Sequence, residues 1–420
     1  MKSGPGCRKQ RGAALLVLLT IMVLGAATLL VTQLNHFSGF WVRDRHSMQA
    51  LAQAKAALIG WAVSHPLRPG LLPFPDRNGD GDYDGNSDCP ATVDLSTLTG
   101  RLPGLGYPAP CVNPQGGLGV NPLDGSGEPL WYSVSSNLVY DGGYPVINSD
   151  LRDEPDNWIT VIDGSGNLLS DRVAAVIIAP GGVLGGQSRG GGAPAVDNYL
   201  DSATVGGTTY SNSDLDLNFI AAQPSGSFND RLIYITIDEL LDQVERVVAR
   251  RIDQLVRPCL TAYAAASGGK YPWAAQLDGS APPDYTGDFG SNLGRLPETL
   301  NIDVSPGSPD GAMQASWNCH TVLPYWSSWR ELVFYEIAAD YQPGSTATCG
   351  SACLTLDGVG GKPFVIMLAG GALAGPGQQR SDNMQKGDIA NYLEADNADG
   401  DLVFENGTAS STFNDQAFSP

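Results

Sequence analysis

Residues 13–34 form an almost unbroken apolar segment directly after a short basic leader, and this junction limits the possible folds more than any other feature. No Lys, Arg, Asp or Glu occurs from Ala13 to Val42. As a helix, the apolar part would extend about 33 Å, which is enough to span a bilayer core once. Four basic residues precede it and the next charge is Arg43. The positive-inside rule therefore predicts a cytoplasmic leader and an exported remainder, with a single pass through the inner membrane.

A helical pattern continues after the apolar segment without a breaker. Apolar residues recur at spacings of three and four along one stripe: Met48, Leu51, Ala54, Leu58 and Trp61. This periodicity predicts one long helix from Ala13 to about Ser64, ending before Pro66. The alternative is an ordinary secretory signal cleaved near residues 25–27, in which case the stripe belongs to an amphipathic helix of an exported domain.

The join between leader and apolar segment resembles the type III signal of type IV prepilins and pseudopilins. In that family a dedicated peptidase cuts after the glycine, here Gly12, and the new N-terminal residue, here Ala13, is methylated. The resemblance implies as partners the prepilin peptidase, the inner membrane and other pilins or pseudopilins, bound through the N-terminal helix. Major pilins carry glutamate at the fifth mature position, where this chain has Val17. The tip pseudopilin of type II secretion systems also lacks it, so the departure points to a tip or initiator position.

Composition agrees with an exported protein that contains many turns. The chain of 420 residues has 52 Gly and 29 Pro, which favours short elements joined by turns over long helices. Its formal net charge is −20. Such an acidic protein is a poor partner for nucleic acid and anionic membrane surfaces, and it favours cations.

The region after the first helix contains the same landmarks twice, in the same order. Gly-Arg-Leu-Pro occurs at 100–103 and 294–297, Asn-Tyr-Leu-Asp/Glu at 198–201 and 391–394, and Phe-Asn-Asp at 228–230 and 413–415. This series indicates a tandem duplication. Short apolar runs bounded by Gly, Pro and Asp predict strands in antiparallel sheets. The expected fold is α+β: a long N-terminal membrane-spanning helix followed by two pilin-like heads, each a helix packed on a small antiparallel sheet.

Four regions follow from this interpretation: a leader at 1–12, the transmembrane and stalk helix at 13–65, a first head at 66–235 and a second head at 236–420. The second head should begin with its own soluble helix. Thr236 is the expected N-cap of that helix, and Pro258 should kink or end it.

An Asp-rich loop, DRNGDGDYDGNSD at 76–88, has the oxygen-ligand spacing of a calcium loop. Position 12 of the loop is Ser87, so a bidentate ligand would come from Asp88 or from elsewhere. The alternative is a solvated Asp-Gly turn. The candidate ligands of this structural calcium ion are Asp76, Asn78, Asp80, Asp82, Asp84 and Asp88. A second, weaker candidate consists of Glu394, Asp396, Asp399 and Asp401.

Six of the seven cysteines lie outside the leader, in a compartment where disulfides form. Six cysteines allow fifteen pairings. Proximity in sequence suggests Cys89 with Cys111 and Cys349 with Cys353, which leaves Cys259 with Cys319.

The sequence predicts no enzyme. Gly186–Gly190 matches the G-x-S-x-G nucleophile elbow, but it lies in a glycine-rich stretch and no helical pattern follows it. The second copy has Gln379 where the first has Ser188, and only His65 and His320 lie outside the stalk as candidate bases. Aromatic residues at 317–329 fit either core packing or a glycan-binding patch.

The predicted function is therefore a minor pilin or pseudopilin, a structural subunit at the tip of a type IV pilus or a type II secretion pseudopilus. The alternative is a membrane-anchored, calcium-binding periplasmic or surface protein that does not polymerise, with adhesion as one role.

Overall fold

The computed structural model describes residues 22–23, 41–77, 83–105, 118–189, 195–279, 283–300, 317, 319–320, 323–346, 349–350 and 353–420. The described residues form an α+β structure in which two helices, α1 (residues 41–64) and α2 (Ile237–Ala266), accompany several sheets. Two single-turn helices, α3 (Trp326–Trp329) and α4 (Asn383–Lys386), lie in the second half. Short 3-10 helices occur at Leu95–Thr97, Ser136–Leu138, Ser149–Asp153, Val196–Asn198, Arg330–Leu332, Ala339–Tyr341, Ile389–Asn391 and Ala395–Asn397.

The prediction of one long apolar helix from Ala13 to about Ser64 was wrong. The first helix starts at Trp41, and within the described ranges no helix has the length and apolarity needed to cross a membrane. The error came from joining two different patterns, because residues 13–34 are apolar all round whereas α1 is apolar on one side only. Gly12 and Ala13 lie outside the described residues.

α1 packs through the predicted stripe. Leu51, Ala54 and Leu58 are fully buried, and Ala62 extends the stripe by one turn. Met48, which the pattern also assigned to the buried side, is 43% exposed. The stripe therefore contacts the core only in the later turns of the helix.

The first half of the chain contains a six-stranded sheet. Its strands are β1 (Thr99–Arg101), β2 (Trp131–Val134), β3 (Ile159–Asp163), β4 (Leu168–Ala179), β7 (Asn218–Ala221) and β8 (Arg231–Thr236). They pair in the order β1-β2-β4-β3-β7, with β8 also paired to β4, and only the β3–β7 pair is parallel. A separate hairpin joins β5 (Ser202–Val205) to β6 (Thr208–Ser211).

The second half contains two smaller sheets. A four-stranded antiparallel sheet has the order β15-β13-β10-β9. A three-stranded sheet has the order β12-β11-β14, with β11 and β14 parallel. The strands are β9 (Leu293–Arg295), β10 (Val333–Ile337), β11 (Leu354–Leu356), β12 (Val359–Lys362), β13 (Phe364–Leu368), β14 (Val403–Phe404) and β15 (Gln416–Phe418).

The strand pairings of the two halves correspond. In the first half β1, β2, β4 and β8 pair successively, and in the second half β9, β10, β13 and β15 do the same. The hydroxyl of Tyr132 on β2 donates to the carbonyl of Pro73 over 3.1 Å, and that of Tyr335 on β10 donates to the carbonyl of Pro272 over 3.2 Å. We call these two halves the first and second repeats.

The prediction of two heads, each with one small antiparallel sheet, was nevertheless wrong. The described residues form four sheets of six, four, three and two strands, and two of them include a parallel pair. Segments inserted between the shared strands supply the additional strands. Parallel pairing joins strands that are distant in the chain, which short apolar runs do not reveal.

α2 is shared by both repeats. Thr236 caps it as predicted, its side chain accepting a hydrogen bond from the backbone N–H of Glu239 over 3.1 Å. The helix continues through Pro258 to Ala266, so the proline does not end it, which was one of the two predicted outcomes. Burial of Val256 and Leu260 on either side of the proline offsets the lost hydrogen bond. α2 contacts β4 and β8 as well as β13 and β15, so one hydrophobic core extends across both repeats.

Polar contacts also fasten the repeats together. Arg152 of the first repeat binds three carboxylates of α2, those of Asp238 (3.0 Å), Asp242 (2.7 Å) and Glu245 (3.1 Å). The guanidinium of Arg380 in the second repeat binds Asp150 over 2.6 Å. The segment Ser149–Asp153 therefore lies at the centre of the junction between the repeats.

Candidate functional site

The first end of the Asp-rich loop is fixed to the sheet by its backbone. The N–H of Asp76 donates to the carbonyl of Arg101 over 2.9 Å, and the N–H of Arg101 donates back over 2.7 Å. The Asp76 side chain is only 2% exposed. Its Oδ2 accepts a hydrogen bond from the N–H of Gly85 over 2.9 Å, while its Oδ1 is buried without a hydrogen-bond partner among the described residues.

Electrostatics disfavour the ionised form of Asp76. Burial raises its pKa to about 7. The hydrogen bond from Gly85 and the charge of Arg101 lower the pKa, whereas the carboxylates of Asp88 and Asp84 raise it. The unpartnered Oδ1 atom of Asp76 is therefore available to a cation, for which carboxylate oxygens are suitable ligands.

The other described carboxylates of the loop are held by local hydrogen bonds. Asp88 Oδ2 accepts from the N–H of Arg77 over 2.7 Å, and Asp84 Oδ1 accepts from the N–H of Asn86 over 2.8 Å. Asn78, Asp80 and Asp82 lie outside the described residues. Across the described ranges no group of three or more His, Cys, Asp or Glu could hold a metal ion.

The structure does not bring together the four acidic residues of the second candidate metal site. Glu394 turns inward, where its carboxylate accepts from Gln378 Nε2 (2.8 Å) and from the N–H of Asn414 (2.9 Å). Asp399 and Asp401 cap their own turn: Asp399 Oδ1 accepts from the N–H of Asp401 over 3.0 Å. Asp396 is exposed.

A buried glutamate that the sequence analysis missed faces this turn. Glu336 on β10 is 5% exposed, and its Oε2 has no hydrogen-bond partner among the described residues. Burial, together with the carboxylates of Asp401 and Asp399, raises its pKa to about 8. The sequence feature that could have indicated this buried carboxyl group is a charged residue inside the apolar run 332–337.

The G-x-S-x-G match lies in a loop that has a counterpart in the second repeat. Ser188 is exposed, and its hydroxyl makes no hydrogen bond within the described residues. The backbone N–H groups of Ser188 and of its counterpart Gln379 make the same contact, donating to Asn198 Oδ1 (2.7 Å) and to Asn391 Oδ1 (2.9 Å). An equivalent loop without a nucleophile indicates a structural role.

Arg189 and Arg380 anchor these two loops in the same way. Each guanidinium donates through Nε to the carbonyl of the Asn in the Asn-Tyr-Leu motif, and through Nη1 to a glycine carbonyl at the end of a central strand. The acceptors are Asn198 (2.9 Å) and Gly181 (2.7 Å) for Arg189, and Asn391 (2.6 Å) and Gly370 (2.9 Å) for Arg380. Each arginine also stacks on the tyrosine of its motif.

Of the two candidate bases, His65 is poorly suited to that role. The Nδ1 atom of His65 accepts from the backbone N–H groups of Leu67 and Arg68, over 3.2 and 2.9 Å. Burial lowers the pKa of His65 to about 4, and the charge of Arg68 lowers it as well. His320 Nδ1 is buried without a hydrogen-bond partner in the described part of the chain.

Two disulfides lie within the described residues, one between cysteines that are close in sequence and one between the pair that was left by elimination. Disulfides join Cys259 to Cys319 and Cys349 to Cys353, with Cα–Cα distances of 5.7 and 5.6 Å. Cys89 is also disulfide-bonded, and Cys111 lies outside the described residues. The aromatic residues considered for a glycan-binding patch are buried in the core: Trp317, Tyr325, Trp326 and Trp329.

Comparison of the chain with known protein families, with curated proteins and with solved structures gives no match.

Proposed function

We propose that this protein is a non-enzymatic assembly subunit of a type IV pilus or type II secretion pseudopilus, processed after Gly12. The observation that carries the proposal is the junction between the basic leader and the apolar segment 13–34. Its partners would be other pilins or pseudopilins, bound through the apolar N-terminal segment, together with the prepilin peptidase and the inner membrane.

The surface of α1 supports a partner near its first turns. Trp41 and Val42 are 66% and 55% exposed, whereas Leu51, Ala54 and Leu58 farther along the helix are buried in the core. An exposed apolar start to an otherwise packed helix is a surface suited to a neighbouring subunit. This end of the helix is also the one closest in sequence to the apolar segment.

A position at the filament tip fits the way the repeats are joined. Because one core and the ion pairs of Arg152 and Arg380 hold the repeats together, both would enter the filament as one bulky body. A bulky body fits a tightly wound shaft poorly but can cap it. Val17, in place of the fifth-position glutamate, supports the same position.

A non-catalytic role is supported by the loops that Arg189 and Arg380 anchor. Both loops use the same hydrogen bonds to organise the same backbone segments, although only the first contains a serine at the elbow position. Ser188→Ala should therefore change no hydrolytic activity of the purified protein.

The test of the assembly proposal is the N-terminal sequence and mass of the mature protein from envelope and sheared-filament fractions. A start at N-methylated Ala13 and recovery with sheared filaments support it. A Gly12→Val variant, which blocks prepilin cleavage, should keep the leader and disappear from the filament fraction. A mature start near Thr28, or unchanged filaments and secretion after deletion of the gene, would exclude the proposal.

We propose further that the Asp-rich loop binds a structural calcium ion. The supporting observation is Asp76, a buried carboxylate with one oxygen unpartnered among the described residues and two carboxylates nearby. Asp76, Asp84 and Asp88 would hold the ion together with Asn78, Asp80 and Asp82. The bound cation would offset the mutual repulsion of these carboxylates. Calcium titration of the full chain and of Asp76→Asn tests this role.

A further inference from the structure

The first repeat contains a pair of buried carboxyl groups that fasten two distant segments together. Asp230 Oδ2 accepts from the N–H of Asp201 over 2.9 Å and from Asn212 Nδ2 over 2.9 Å. In return, Asp201 Oδ2 accepts from the N–H of Asn229 over 2.7 Å, and its Oδ1 accepts from Gln187 Nε2 over 2.8 Å. The end of the Arg189 loop is thereby tied to the segment that leads into β8. We call Asp201 and Asp230 the first carboxyl pair.

The second repeat builds the same arrangement from Glu394 and Asp415. The N–H of Glu394 donates to Asp415 Oδ2 over 2.8 Å, and the N–H of Asn414 donates to Glu394 Oε2 over 2.9 Å. Gln378 and Asn397 take the places of Gln187 and Asn212. In both repeats the Oδ1 atom of the second acid is buried and has no partner among the described residues. Because the unpaired oxygen occurs in both repeats, we regard it as a shared feature of the repeat.

Two negative charges are unfavourable at the first carboxyl pair. Asp230 is 2% exposed, and burial together with the charge of Asp201 raises its pKa well above the ordinary value. Burial also raises the pKa of Asp201. The charged group facing the pair is Arg189, which is itself bound to Glu128 over 3.3 Å. Arg189 therefore compensates one carboxylate better than two.

We propose that the first carboxyl pair holds a single proton, and that this proton closes the first repeat by holding the Tyr199–Asp201 segment against the start of β8. The proton is held on Asp230, whose Oδ1 atom has no partner among the described residues, so the pair carries one negative charge instead of two. When the proton is lost to solvent, two buried negative charges repel each other, and the two segments separate. Because β8 runs directly into α2, this separation also loosens the connection between the repeats.

Two substitutions at Asp230 separate the effect of its charge from that of its hydrogen bonds, and a third substitution serves as a control. Asp230→Asn can keep an oxygen at the Oδ2 position for Asp201 N–H and Asn212, and it places a neutral N–H₂ group at Oδ1, where it mimics the bound proton. Asp230→Ala removes both acceptors and should destabilise at every pH. Asp197→Asn, an exposed change on the same segment, is the matched control.

The experiment measures the unfolding equilibrium constant of the full chain in mild detergent between pH 5 and pH 8. One proton bound only in the folded state changes this constant by up to about tenfold per pH unit. We expect wild type and Asp197→Asn to lose stability relative to Asp230→Asn as the pH rises, by up to that factor. A constant ratio between wild type and Asp230→Asn at all pH values overturns the proposal.

A second measurement does not depend on a folded variant. The backbone amides of Asp201 and Asn229 donate directly to the pair, so their hydrogen-exchange protection reports whether the segments are together. After correction for intrinsic exchange, we expect their protection in the wild-type chain to fall as the pH rises from 5 to 8. Protection that does not change over this range excludes a proton-dependent closure.

Discussion

Asp76 gives a quantitative prediction about the calcium proposal. The pKa of Asp76 in the folded protein is about 7, which is about three pKa units above the ordinary value of 3.8. At about 1.36 kcal/mol per pKa unit, ionising the buried carboxyl costs at most about 4 kcal/mol. Relaxation of the groups around the buried charge lowers this cost, so we expect about 2 kcal/mol.

The direction of the pH dependence of stability follows from the proton that the folded state retains. Because the folded pKa is raised, the folded protein binds the proton more tightly than the unfolded chain does. Without divalent cations, the contribution of Asp76 to stability is therefore lost as the pH rises from about 4 to about 7. A calcium ion at the loop would replace the proton and restore that stability at neutral and higher pH, by about 2.7 kcal/mol at a hundred times its dissociation constant.

The assay is chemical unfolding of the full chain in mild detergent at pH 5 and pH 8, with EGTA or with calcium. We expect calcium to stabilise the wild type strongly at pH 8 and weakly at pH 5. Asp76→Asn should unfold with little dependence on calcium at either pH, and the exposed change Asp197→Asn should behave as wild type. An equal response of wild type and Asp76→Asn to calcium at pH 8 would refute the reasoning.

Three further predictions concern the core and the junction. Glu336→Gln should stabilise the protein above pH 8 and leave it unchanged at pH 6, because the raised pKa of about 8 keeps Glu336 protonated at the lower pH; thermal melts at both pH values check this. Arg152→Ala should cost about 3 to 5 kcal/mol of unfolding free energy, since it leaves the buried carboxylate of Glu245 uncompensated; an exposed arginine of α2 changed to Ala should cost far less in the same denaturation series. Replacing Cys259 and Cys319 by Ser should cost about 4 kcal/mol, because their bond spans 60 residues, and serines at the pair separated by only 4 should cost about 2; equal losses in denaturation would contradict the chain-entropy argument.

Local signals predicted local structure well. The hydroxyl of Thr236 before an acidic first turn indicated the start of α2, and the three-and-four spacing of Leu51, Ala54 and Leu58 indicated the buried side of α1. These features depend on neighbours in the chain, which the sequence displays directly. The order of the repeated landmarks also matched the order of strand pairing, because duplicated sequences bury the same positions.

Features that depend on distant partners were not predicted. The parallel pairing of β3 with β7 joins segments more than fifty residues apart, and nothing in either run encodes the other. Glu394 belongs by spacing to an exposed acidic group, yet a carboxyl partner at Asp415 and an amide at Gln378 draw it inside. Pro258 was expected to kink or end its helix; the helix does not end there, because packing on both sides of the proline prevails over the local preference.

The position of α2 affects the order in which the chain can acquire its structure. This helix belongs to the second repeat by sequence but covers strands β4 and β8 of the first. During synthesis the contacts of α2 with β4 and β8 form only after this helix has been made, so the first sheet is not fully covered before then. The first repeat therefore completes its packing only after synthesis of the second repeat has begun.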